Sequence, residues 1–487
     1  MTTAAPRVLV VGASGYVGGW LVDRLAGEGL APLVAGRDVA TLRARWPALE
    51  ARHLDLEVEE SIPPALSGID VAYYLAHSMD GQGDFAARES VAARAFGRVA
   101  AAAGVRQIIF LGALGDQDDE LSEHLASRQR TGEHLRASGV PVTELRAAVI
   151  VGSGSASFEI LRHLVERLPV MITPRWVRTR CQPVGIDDVL AYLVAALHHP
   201  EVTGVVEIGG TDVLSYGEMM ARYASRRGLR RIMIPVPLLT PRLSSYWVHI
   251  VSPVPGALAR PLVEGLRHEV VVRNPAPAAA LGVRPLGFDE ALTRAVDRRG
   301  PLPGTWFDAA HRRRRPLSAL ESLEGMYVDR RERVVRAAPE DLFAAVSRIG
   351  GHAKWPNANL LWAARGLLDR VVGGPGLRRG RRDPVELRVG DVLDFWRVEA
   401  WDPGALVRLA AEMRLPGRAW LQFEVVAVDG GRSRLVQSAY FEPRGLLGFC
   451  YWWAVFPFHA VVFGGMIREL ARRAEAATAL GGVTAGP

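Results

Sequence analysis

The fold of the first part of the chain is decided by the stretch VLVVGASGYVG, residues 8–18. Val8–Val11 has the composition of a buried strand, and Gly12, Gly15 and Gly18 follow it at the spacing GxxGxxG. Between a strand and a helix, glycines at this spacing permit a tight turn and a close approach of the backbone to a pyrophosphate. The helix that starts near Gly15 would direct its free N–H groups at that anion. The stretch therefore predicts a dinucleotide-binding loop.

Four more short apolar runs follow, with Ala-rich helical stretches such as Glu89–Ala103 between them. The runs are Leu33–Ala35, Val71–Leu75, Ile108–Leu111 and Val142–Leu145. Alternating strands and helices are typical of a parallel sheet that is covered by helices on both faces. We therefore predict an α/β fold with a doubly wound parallel sheet of the Rossmann type. Prolines over 235–300 indicate an irregular extension of the same domain.

The end of the predicted second strand favours NADP(H). Arg37 follows Gly36 where an NAD-binding site carries a carboxylate, and it could face a 2′-phosphate. In the alternative, Arg37 is a solvated loop residue and Asp38 contacts the ribose. The predicted cofactor contacts are Gly12, Ser14, Gly15, Tyr16, Val17, Gly18, Arg37, Asp55, Leu56, Leu75, Ala76, His77 and Arg128.

GASGYVG, Asp55 and the later pair Asp187-Asp188 resemble the short-chain dehydrogenase/reductase superfamily, in its atypical NmrA-like and epimerase-like members. The resemblance is greatest to a group that carries an additional C-terminal domain of unknown function. The segments that carry it are Tyr74–Met79, His124–Arg128, Pro174–Val177, Leu243–Trp247, Gly390–Arg397, Tyr451–Trp453 and Pro457–His459. The resemblance implies a Rossmann fold and a nicotinamide cofactor, and it implies no particular substrate.

One catalytic feature of that superfamily is missing. Its reductases use a Tyr-x-x-x-Lys pair in which the lysine lowers the tyrosine pKa, whereas the single lysine of this chain is Lys354. The helix predicted over 121–138 carries His124 and Arg128 at the same spacing, so His124 could supply the proton and Arg128 could hold the ribose. An alignment shifted by one residue would instead place Leu125 and Gln129 there and predict no catalytic pair.

Two further residues complete the catalytic candidates. His77 follows the fourth predicted strand, near the expected nicotinamide end, and is either a second candidate acid or a structural histidine. Ser127, like Ser122, could contact the substrate or cofactor, or could cap or solvate its helix. The candidate catalytic residues are His124, Arg128, His77 and Ser127, and no metal site is predicted.

Length and composition limit the remaining classes of protein. A chain of 487 residues with 49% hydrophobic residues is expected to form two or three globular domains. The single lysine excludes a GxxxxGK[ST] phosphate loop. Two distant cysteines, Cys181 and Cys450, exclude a disulfide framework. Because the N-terminus shows no signal-peptide pattern, we expect a cytoplasmic protein.

The net charge is concentrated in the second part of the chain. Residues 1–300 contain 32 arginines and 32 acidic residues, so the net charge of +7 belongs to residues 301–487. This excess reflects either composition alone or contact with an anionic partner. The four arginines of Gly376–Asp383 fit either a phosphate or carboxylate clamp or a solvated loop. No nucleic-acid motif accompanies the charge, so nucleic acid is not an expected partner.

The pattern changes after the run His311–Pro316. Strands are predicted over Tyr327–Val335, Asp391–Ala400, Leu406–Arg414, Ala419–Val428 and Ser433–Glu442, and a final apolar helix over Leu446–Ala477. We divide the chain into a cofactor domain over 1–300, a basic linker over 301–325 and an α+β domain over 326–478. The last domain resembles the START/polyketide-cyclase-like helix-grip superfamily. That resemblance implies an antiparallel sheet around a C-terminal helix, a hydrophobic cavity and a large apolar ligand.

The segment 445–467 contains 23 residues without a formal charge. It is long enough to span a membrane, although Pro457 and its many aromatic residues argue against simple insertion. Three alternatives remain: a single-pass anchor, a peripheral membrane contact, and a buried helix that lines the cavity, which we favour.

Two functions fit these features. The first is an NADP(H)-dependent oxidoreductase or isomerase that acts on an apolar small molecule and lacks the Tyr-x-x-x-Lys pair. The second is a non-catalytic NADP(H)-binding sensor or a lipid- or quinone-binding module, which the missing pair favours. The oligomeric state stays open.

Overall fold

The structure is a computed structural model. It describes residues 5–76, 85–115, 121–236, 264–297, 321–323, 325–350, 355–371, 373–375, 383, 387–428 and 430–483. The chain divides into two compact units, Met1–Arg314 and Arg315–Pro487. This division falls within the linker predicted over 301–325. The described residues do not include most of that linker, the segment Leu243–Trp247 or the run of four arginines within 376–382.

The first unit contains the predicted parallel sheet. Its strands are β1 (Val8–Val11), β2 (Leu33–Gly36), β3 (Ala51–His53), β4 (Val71–Tyr74), β5 (Gln107–Ala113), β6 (Val142–Ala147), β7 (Ile150–Val151), β8 (Val170–Thr173), β9 (Arg180–Cys181), β10 (Val184–Gly185), β11 (Gly204–Ile208), β12 (Leu214–Ser215) and β13 (Ile232–Pro235). Seven of them form one sheet in the order β11-β6-β5-β4-β1-β2-β3. All neighbours in this sheet run parallel. The predicted Rossmann-type sheet is thereby confirmed.

Helices connect these strands and cover the sheet. They are α1 (Tyr16–Gly27), α2 (Val39–Arg45), α3 (Ile62–Leu66), α4 (Phe85–Ala102), α5 (Glu123–Arg136), α6 (Ala156–Arg167), α7 (Ile186–His198), α8 (Tyr216–Arg226), α9 (Ala276–Ala280) and α10 (Phe288–Asp297). The remaining strands form three two-stranded sheets, β10-β7, β12-β9 and β13-β8. The helix predicted over 121–138 is α5, which is shorter at both ends.

Alternate residues of β1 enter two separate cores, which explains why its sequence is apolar throughout. Val8 and Val10 belong to the core beneath α1 and α7, whereas Leu9 and Val11 belong to the core beneath α3 and α4. A strand that is buried on both faces cannot alternate apolar with polar residues. The run of four apolar residues is therefore the expected sequence of a central parallel strand.

The second unit is built on one antiparallel sheet. Its strands are β14 (Glu321–Leu323), β15 (Met326–Val335), β16 (Val392–Leu393), β17 (Trp396–Asp402), β18 (Leu406–Ala411), β19 (Gly417–Val428) and β20 (Arg432–Pro443). They lie in the order β14-β15-β20-β19-β18-β17-β16, and every pair is antiparallel. The predicted antiparallel sheet is confirmed, and the START-like class remains a prediction.

One predicted strand is divided in the structure. Residues 391–400 form β16 and the start of β17, and a tight turn separates Leu393 from its partner Trp396. Asp394 in this turn has φ of +57°, and its carboxylate accepts a hydrogen bond from Trp355 Nε1 at 3.0 Å. Asp tolerates the left-handed conformation better than most residues because its short side chain bonds locally. Apolar pairs flank Asp394, and residues 391–400 contain no glycine or proline, so the sequence did not indicate the turn.

The described part of the second unit also contains three helices: α11 (Pro339–Ser347), α12 (Asn359–Val371) and α13 (Gly445–Val483). Helix α13 packs against α11, β15 and β20. The favoured prediction of a buried helix over 445–467 is wrong for most of that segment. The side chains from Val462 to Ala474 that face the sheet are buried. In the most apolar stretch of 18 residues in α13, however, only 17% is buried. The sheet covers one side of α13 and leaves the other side of its first half exposed.

Candidate functional site

The candidate site lies at the carboxyl edge of the parallel sheet, where β1, β4, β5 and β6 end beside one another. Leu75, directly after β4, donates its N–H to the Val11 carbonyl at 3.0 Å. Leu114, directly after β5, donates its N–H to the Ala147 carbonyl at 2.9 Å. The loops that follow these four strands therefore share one edge, which is where open α/β sheets bind their ligands.

The glycine loop fits a dinucleotide because its backbone is packed too closely for side chains. Gly12 has φ of +84°, and a Cβ added to it would lie 2.7 Å from the Ala76 nitrogen. A Cβ added to Gly18 would overlap the Gly12 carbonyl oxygen. Gly15 closes the turn by donating its N–H to the same Gly12 oxygen at 2.9 Å. Only glycine fits at these positions without displacement of backbone atoms.

Helix α1 begins at this loop without a side-chain cap. Gly15 is the N-cap residue, and the first turn contains no acidic residue. Ser14 is exposed, whereas Tyr16 and Val17 are half-buried. The first N–H groups of a helix have no intrahelical acceptor, so those of α1 can bind an anion such as a pyrophosphate.

Arg37 and Asp38, the two residues considered for the 2′-phosphate and the ribose, have different surroundings at the end of β2. Asp38 caps α2, because its carboxylate accepts hydrogen bonds from Thr41 N at 3.0 Å and from the Thr41 hydroxyl at 2.6 Å. Both carboxylate oxygens are thus engaged within the loop. Arg37 is exposed beside it and can reach toward a ligand at this edge.

Asp55 and Leu56 lie at the end of β3, next along the same edge. The Asp55 carboxylate accepts a hydrogen bond from Glu57 N at 3.1 Å. The backbone N–H of Asp55 donates to the Ser61 hydroxyl at 3.0 Å. Leu56 is partly buried against the core beneath α3 and α4. This turn is held by its own hydrogen bonds and leaves Asp55 half-buried.

Helix α5 places its candidate residues at different depths. Ser122 is the N-cap residue and accepts a hydrogen bond from Leu125 N. His124 is half-buried in the first turn, and Arg128 lies one turn later with 7% of its surface exposed. Ser127 is fully buried. The His124 side chain is therefore less buried than those of Ser127 and Arg128.

Arg128 is held in place from three directions. Its Nη2 donates to the Leu111 carbonyl at 2.5 Å, its Nη1 lies 4.0 Å from Glu89 Oε1, and its guanidinium lies 4.8 Å above the Phe110 ring. Burial lowers the pKa of Arg128, and the Glu89 charge opposes that effect. The guanidinium thus places a fixed positive charge beneath the end of β5.

Glu89 of α4 is a site residue that the sequence analysis missed. Its Oε2 accepts a hydrogen bond from the Ser127 hydroxyl at 2.6 Å, and its other oxygen faces Arg128. It is 7% exposed and lies on the buried side of α4 with Ala86, Ala93 and Phe96. An acidic residue on the apolar face of an Ala-rich helix is the signal that could have identified it, because buried carboxylates need partners.

The alternative alignment of α5 places Leu125 and Gln129 in the pair's positions. Leu125 packs into an apolar core, and Gln129 Nε2 donates to the Gly115 carbonyl at 2.9 Å. Both residues fix α5 against the loop after β5, and neither offers a group that titrates near neutral pH.

The loop after β7 closes over the glycine loop. A Cβ added to Gly152 would overlap the Tyr16 hydroxyl, so the backbone of this loop lies directly against Tyr16. Gly154 N donates to Glu159 Oε1 at 2.9 Å, which ties the loop to α6. His77 and Ser78 lie outside the described residues, whereas the backbone of Leu75 and Ala76 borders Gly12.

The second unit has no comparable backbone cradle among its described residues. Aromatic rings pack together where α12 meets α13: the Trp362 ring lies 5.1 Å from that of Trp355 and 6.4 Å from that of Phe463. A cavity of about 650 Å³ lies beside α11. Its floor includes the rings of Phe343 and Trp401, 5.0 Å apart.

A buried polar cluster lies under the middle of α13. His459 Nδ1 is 3.2 Å from Asp329 Oδ2, and Arg331 donates to both oxygens of Asp329 at 3.1 and 3.0 Å. Burial raises the pKa of Asp329, but the hydrogen bonds from His459 and Arg331 outweigh it and bring that pKa below its ordinary value. The cluster fixes α13 to β15.

Comparison with known families supports the cofactor assignment. Residues 12–163 match a family model described as NAD(P)H-binding, which confirms the predicted cofactor class. Residues 324–466 match a model described as a protein of unknown function, DUF2867. The second match shows a recognised domain and assigns it no activity.

Two characterised proteins are similar to this chain. A ceramide reductase of Caulobacter vibrioides is 27% identical over 323 residues, covering 63% of this chain and 96% of the relative. A (4-alkanoyl-5-oxo-2,5-dihydrofuran-3-yl)methyl phosphate reductase of Streptomyces griseus is 30% identical over 234 residues, covering 46% of this chain and 73% of the relative. Among solved structures, a Citrobacter sp. triphenylmethane reductase complexed with NADP(H) is 19% identical with a TM-score of 0.47, covering 59% of this chain and 99% of the other.

Proposed function

The chain belongs to the NAD(P)-binding, atypical short-chain dehydrogenase/reductase family, and we propose that it is an NADPH-dependent reductase of an amphiphilic substrate with an alkyl chain. The reducible group would be a carbonyl or a conjugated double bond. The observation that carries the proposal is the close-packed glycine loop, with His124 and Arg128 on the neighbouring helix. Two similar proteins that are both reductases support the reaction type.

The preference for NADPH is supported by the different contacts of Asp38 and Arg37 at the end of β2. Asp38 uses its carboxylate to cap α2, while Arg37 is exposed beside it. An arginine forms strong charge-assisted hydrogen bonds with a phosphate. Arg37 would therefore bind the 2′-phosphate that distinguishes NADPH from NADH.

The residues of the site divide the remaining tasks. Bound NADPH supplies the hydride. The glycine loop and the start of α1 would bind the pyrophosphate, and the Gly152 loop over Tyr16 would exclude water. His124, half-buried in the first turn of α5, would donate a proton to the carbonyl oxygen, or to a carbon of the conjugated double bond. Arg128, held by Glu89 and the Leu111 carbonyl, would position the helix and stabilise negative charge.

The proposed substrate class follows from the names of the two similar proteins. One is named a ceramide reductase, and the name of the other includes an alkanoyl group and a phosphate. Both names point to a molecule that combines a polar group with an acyl chain. An apolar substrate is also what the sequence predicts for this chain, and no further detail of the substrate is proposed.

A second candidate, an NADPH-binding sensor without catalysis, is favoured by one observation. The first 353 residues contain no lysine, and the arginine at the corresponding helical spacing is engaged by Glu89 and a backbone carbonyl. An arginine engaged in this way has fewer N–H groups left to bind a nicotinamide ribose. In this alternative the loop binds NADPH and no hydride is transferred.

The reaction is tested by NADPH oxidation with a panel of long-chain ketones and enones, using wild type, His124→Gln and His134→Gln. His134 is a half-buried residue near the end of the same helix, so its variant controls for the loss of a histidine on α5. We expect turnover by wild type and by His134→Gln, and a loss of about 100-fold in kcat for His124→Gln with unchanged NADPH affinity. Tight NADPH binding without any turnover supports the sensor, and no NADPH binding contradicts both candidates.

The cofactor preference is tested by titration with NADPH and NADH. Arg37→Ala is expected to weaken NADPH about tenfold and to leave NADH unchanged, because a charge-assisted hydrogen bond contributes about 1.5 kcal/mol or more. Arg43→Ala, an exposed arginine of α2, is the matched control. Equal losses for both cofactors, or for both variants, would contradict the role of Arg37.

A further inference from the structure

The first half of α13 exposes an apolar face to solvent. Trp453 is 47% exposed, Phe458 55%, Val461 57% and Leu447 78%. Cys450, Ala454, Pro457 and Ala460 are exposed between them. No charged residue occurs between Gly445 and Ile467. Four turns of one helix therefore present only apolar or uncharged groups to water.

Helix α12 exposes a second apolar face. Leu360 is 83% exposed, Leu367 62%, Leu368 56% and Val371 77%. The opposite side of the helix is buried through Trp362, which is 8% exposed. A row of leucines that faces water is unusual, because single exposed apolar residues are common but contiguous ones mark an interaction site.

The two helices lie beside each other because they are joined by a hydrogen bond at one end and contact the same loop, residues 414–416, at the other. Near the start of α12, Asn357 Nδ2 donates to the Val461 carbonyl of α13 at 2.6 Å. At its other end, Asp369 accepts a hydrogen bond from Arg414 N at 2.7 Å. Two residues further along, the Pro416 carbonyl accepts a hydrogen bond from Arg444 N, directly before α13, at 2.9 Å. We call the exposed side chains of both helices the α12–α13 surface.

Four exposed arginines lie at the border of this surface among the residues that the structure describes. Arg370, Arg414 and Arg444 are exposed near the shared end of the two helices, and Arg468 is exposed beyond the apolar stretch of α13. The acidic residue of α12, Asp369, is fully buried. An apolar surface with a cationic border is complementary to a bilayer with anionic headgroups.

We propose that the α12–α13 surface docks on an anionic lipid bilayer and lies in its interface. The exposed Trp453, Phe458 and leucines would enter the boundary between headgroups and acyl chains, and the arginines would contact lipid phosphates. Helix α13 is long and apolar enough to cross a membrane. It does not span here, because its other side contributes Phe463, Met466 and Leu470 to the core of the second unit. This inference is independent of the proposed catalytic function.

Co-sedimentation of the full chain with vesicles tests the proposal. We compare vesicles of phosphatidylcholine with vesicles that also contain phosphatidylglycerol, at low and high salt. We expect binding to the anionic vesicles that weakens with salt, because the electrostatic attraction is screened. Absence of binding to anionic vesicles at low salt would overturn the proposal.

Variants of the surface make the test specific. Leu447→Ser and Leu367→Ser are each expected to weaken vesicle binding about tenfold, since each removes an apolar side chain that would become buried in lipid. Arg370→Gln and Arg414→Gln are each expected to weaken binding to anionic vesicles about fivefold. Val91→Ser and Val334→Ser remove side chains that are 66% and 53% exposed elsewhere, and they serve as controls without expected effect.

Two other occupants of the surface give different results. If a second copy covers it, wild type is a dimer by light scattering and Leu447→Ser is a monomer, with no vesicle binding by either. If the first unit covers it, wild type is a monomer that does not bind vesicles. Either result overturns the proposal. NADPH affinity is expected to be the same in all these variants, so failure of lipid binding and failure of the proposed reductase activity are separate outcomes.

Discussion

The two units present their functional features through different parts of the chain. In the first unit the candidate site is shaped by backbone: the Gly12 and Gly18 positions touch neighbouring backbone atoms, and the groups proposed to bind the pyrophosphate are N–H groups of α1. In the second unit the α12–α13 surface is shaped by exposed side chains such as Leu367 and Leu447. A loop that packs against backbone atoms accepts only glycine, so its glycines stand at a fixed spacing that the sequence shows. An apolar surface accepts many apolar residue types, so the sequence shows only that the segment is apolar.

The charged residues differ in the same way. In the first unit Glu89 and Arg128 are buried beside the site, so their charges hold the scaffold. In the second unit Arg370 and Arg414 are exposed, so their charges are available to a partner. The difference leads to four predictions, in order of decreasing expected effect.

The largest effect is expected for Glu89→Leu, which leaves Arg128 buried without its carboxylate. Breaking a buried ion pair from one side costs about 3 kcal/mol of unfolding free energy. Urea unfolding, with hydrogen exchange to assign the affected unit, measures this loss. Glu89→Gln retains an acceptor for Ser127 and should lose less, while Glu123→Gln, exposed on α5, should change stability little. Equal stability of Glu89→Leu and wild type would show that these charges do not hold the scaffold.

Gly18→Ala is expected to weaken NADPH binding about 100-fold, or about 2.7 kcal/mol. The added methyl group would overlap the Gly12 carbonyl and displace the loop. Calorimetric titration gives the affinity. Gly27→Ala is the matched control in the same helix, because a Cβ there meets nothing within 4 Å. Unchanged affinity of Gly18→Ala would mean that the cradle is not built by backbone approach.

Asp329→Asn is expected to destabilise the second unit by about 2 kcal/mol at neutral pH, through lost hydrogen bonds to charged partners. Because the pKa of Asp329 is lower in the folded chain, its ionised form stabilises the fold above the unfolded-state pKa. This contribution is lost as the pH falls through the folded-state pKa. The difference between wild type and variant should therefore shrink in acid. Asp402→Asn, an exposed control, should show no such dependence, and a constant difference for Asp329→Asn would contradict the ionic contribution.

The smallest effect is expected for Asp38→Ala, which removes the cap of α2 and costs about 1 kcal/mol of stability. Thermal unfolding measures it. The ratio of NADPH to NADH affinity should stay the same, since the Asp38 carboxylate is engaged by Thr41. A shift of that ratio toward NADPH would instead show that Asp38 contacts the ribose.

The first unit was predictable where local sequence and tertiary structure impose the same requirement. Val8–Val11 must be apolar because β1 is buried on both faces, and Gly12 must be glycine because of its positive φ. Glu89 was missed because its partners, Ser127 and Arg128, lie about 40 residues away in sequence. A single sequence shows that an acidic residue is unusual there, but it does not show which residue neutralises it.

The second unit was less predictable for the same reason. The strands of the antiparallel sheet are predictable from the alternation of apolar and polar residues. The turn at Asp394, which divides one predicted strand in two, is not. The apolar stretch 445–467 is evident in the sequence, but its division into a buried and an exposed side depends on where the sheet lies. Helix α12 escaped the sequence analysis altogether, and its exposed leucines become meaningful only beside α13.

The sequence by itself determined the parallel sheet, the NAD(P)H-binding loop and the antiparallel character of the second unit. These features depend on periodicity and on steric limits that act within a few residues. Only the tertiary structure decided that Glu89 holds Arg128, that Asp38 caps α2, and that α12 and α13 share one exposed surface. These features depend on contacts between distant segments, whose pairing is set by the packing of the whole unit.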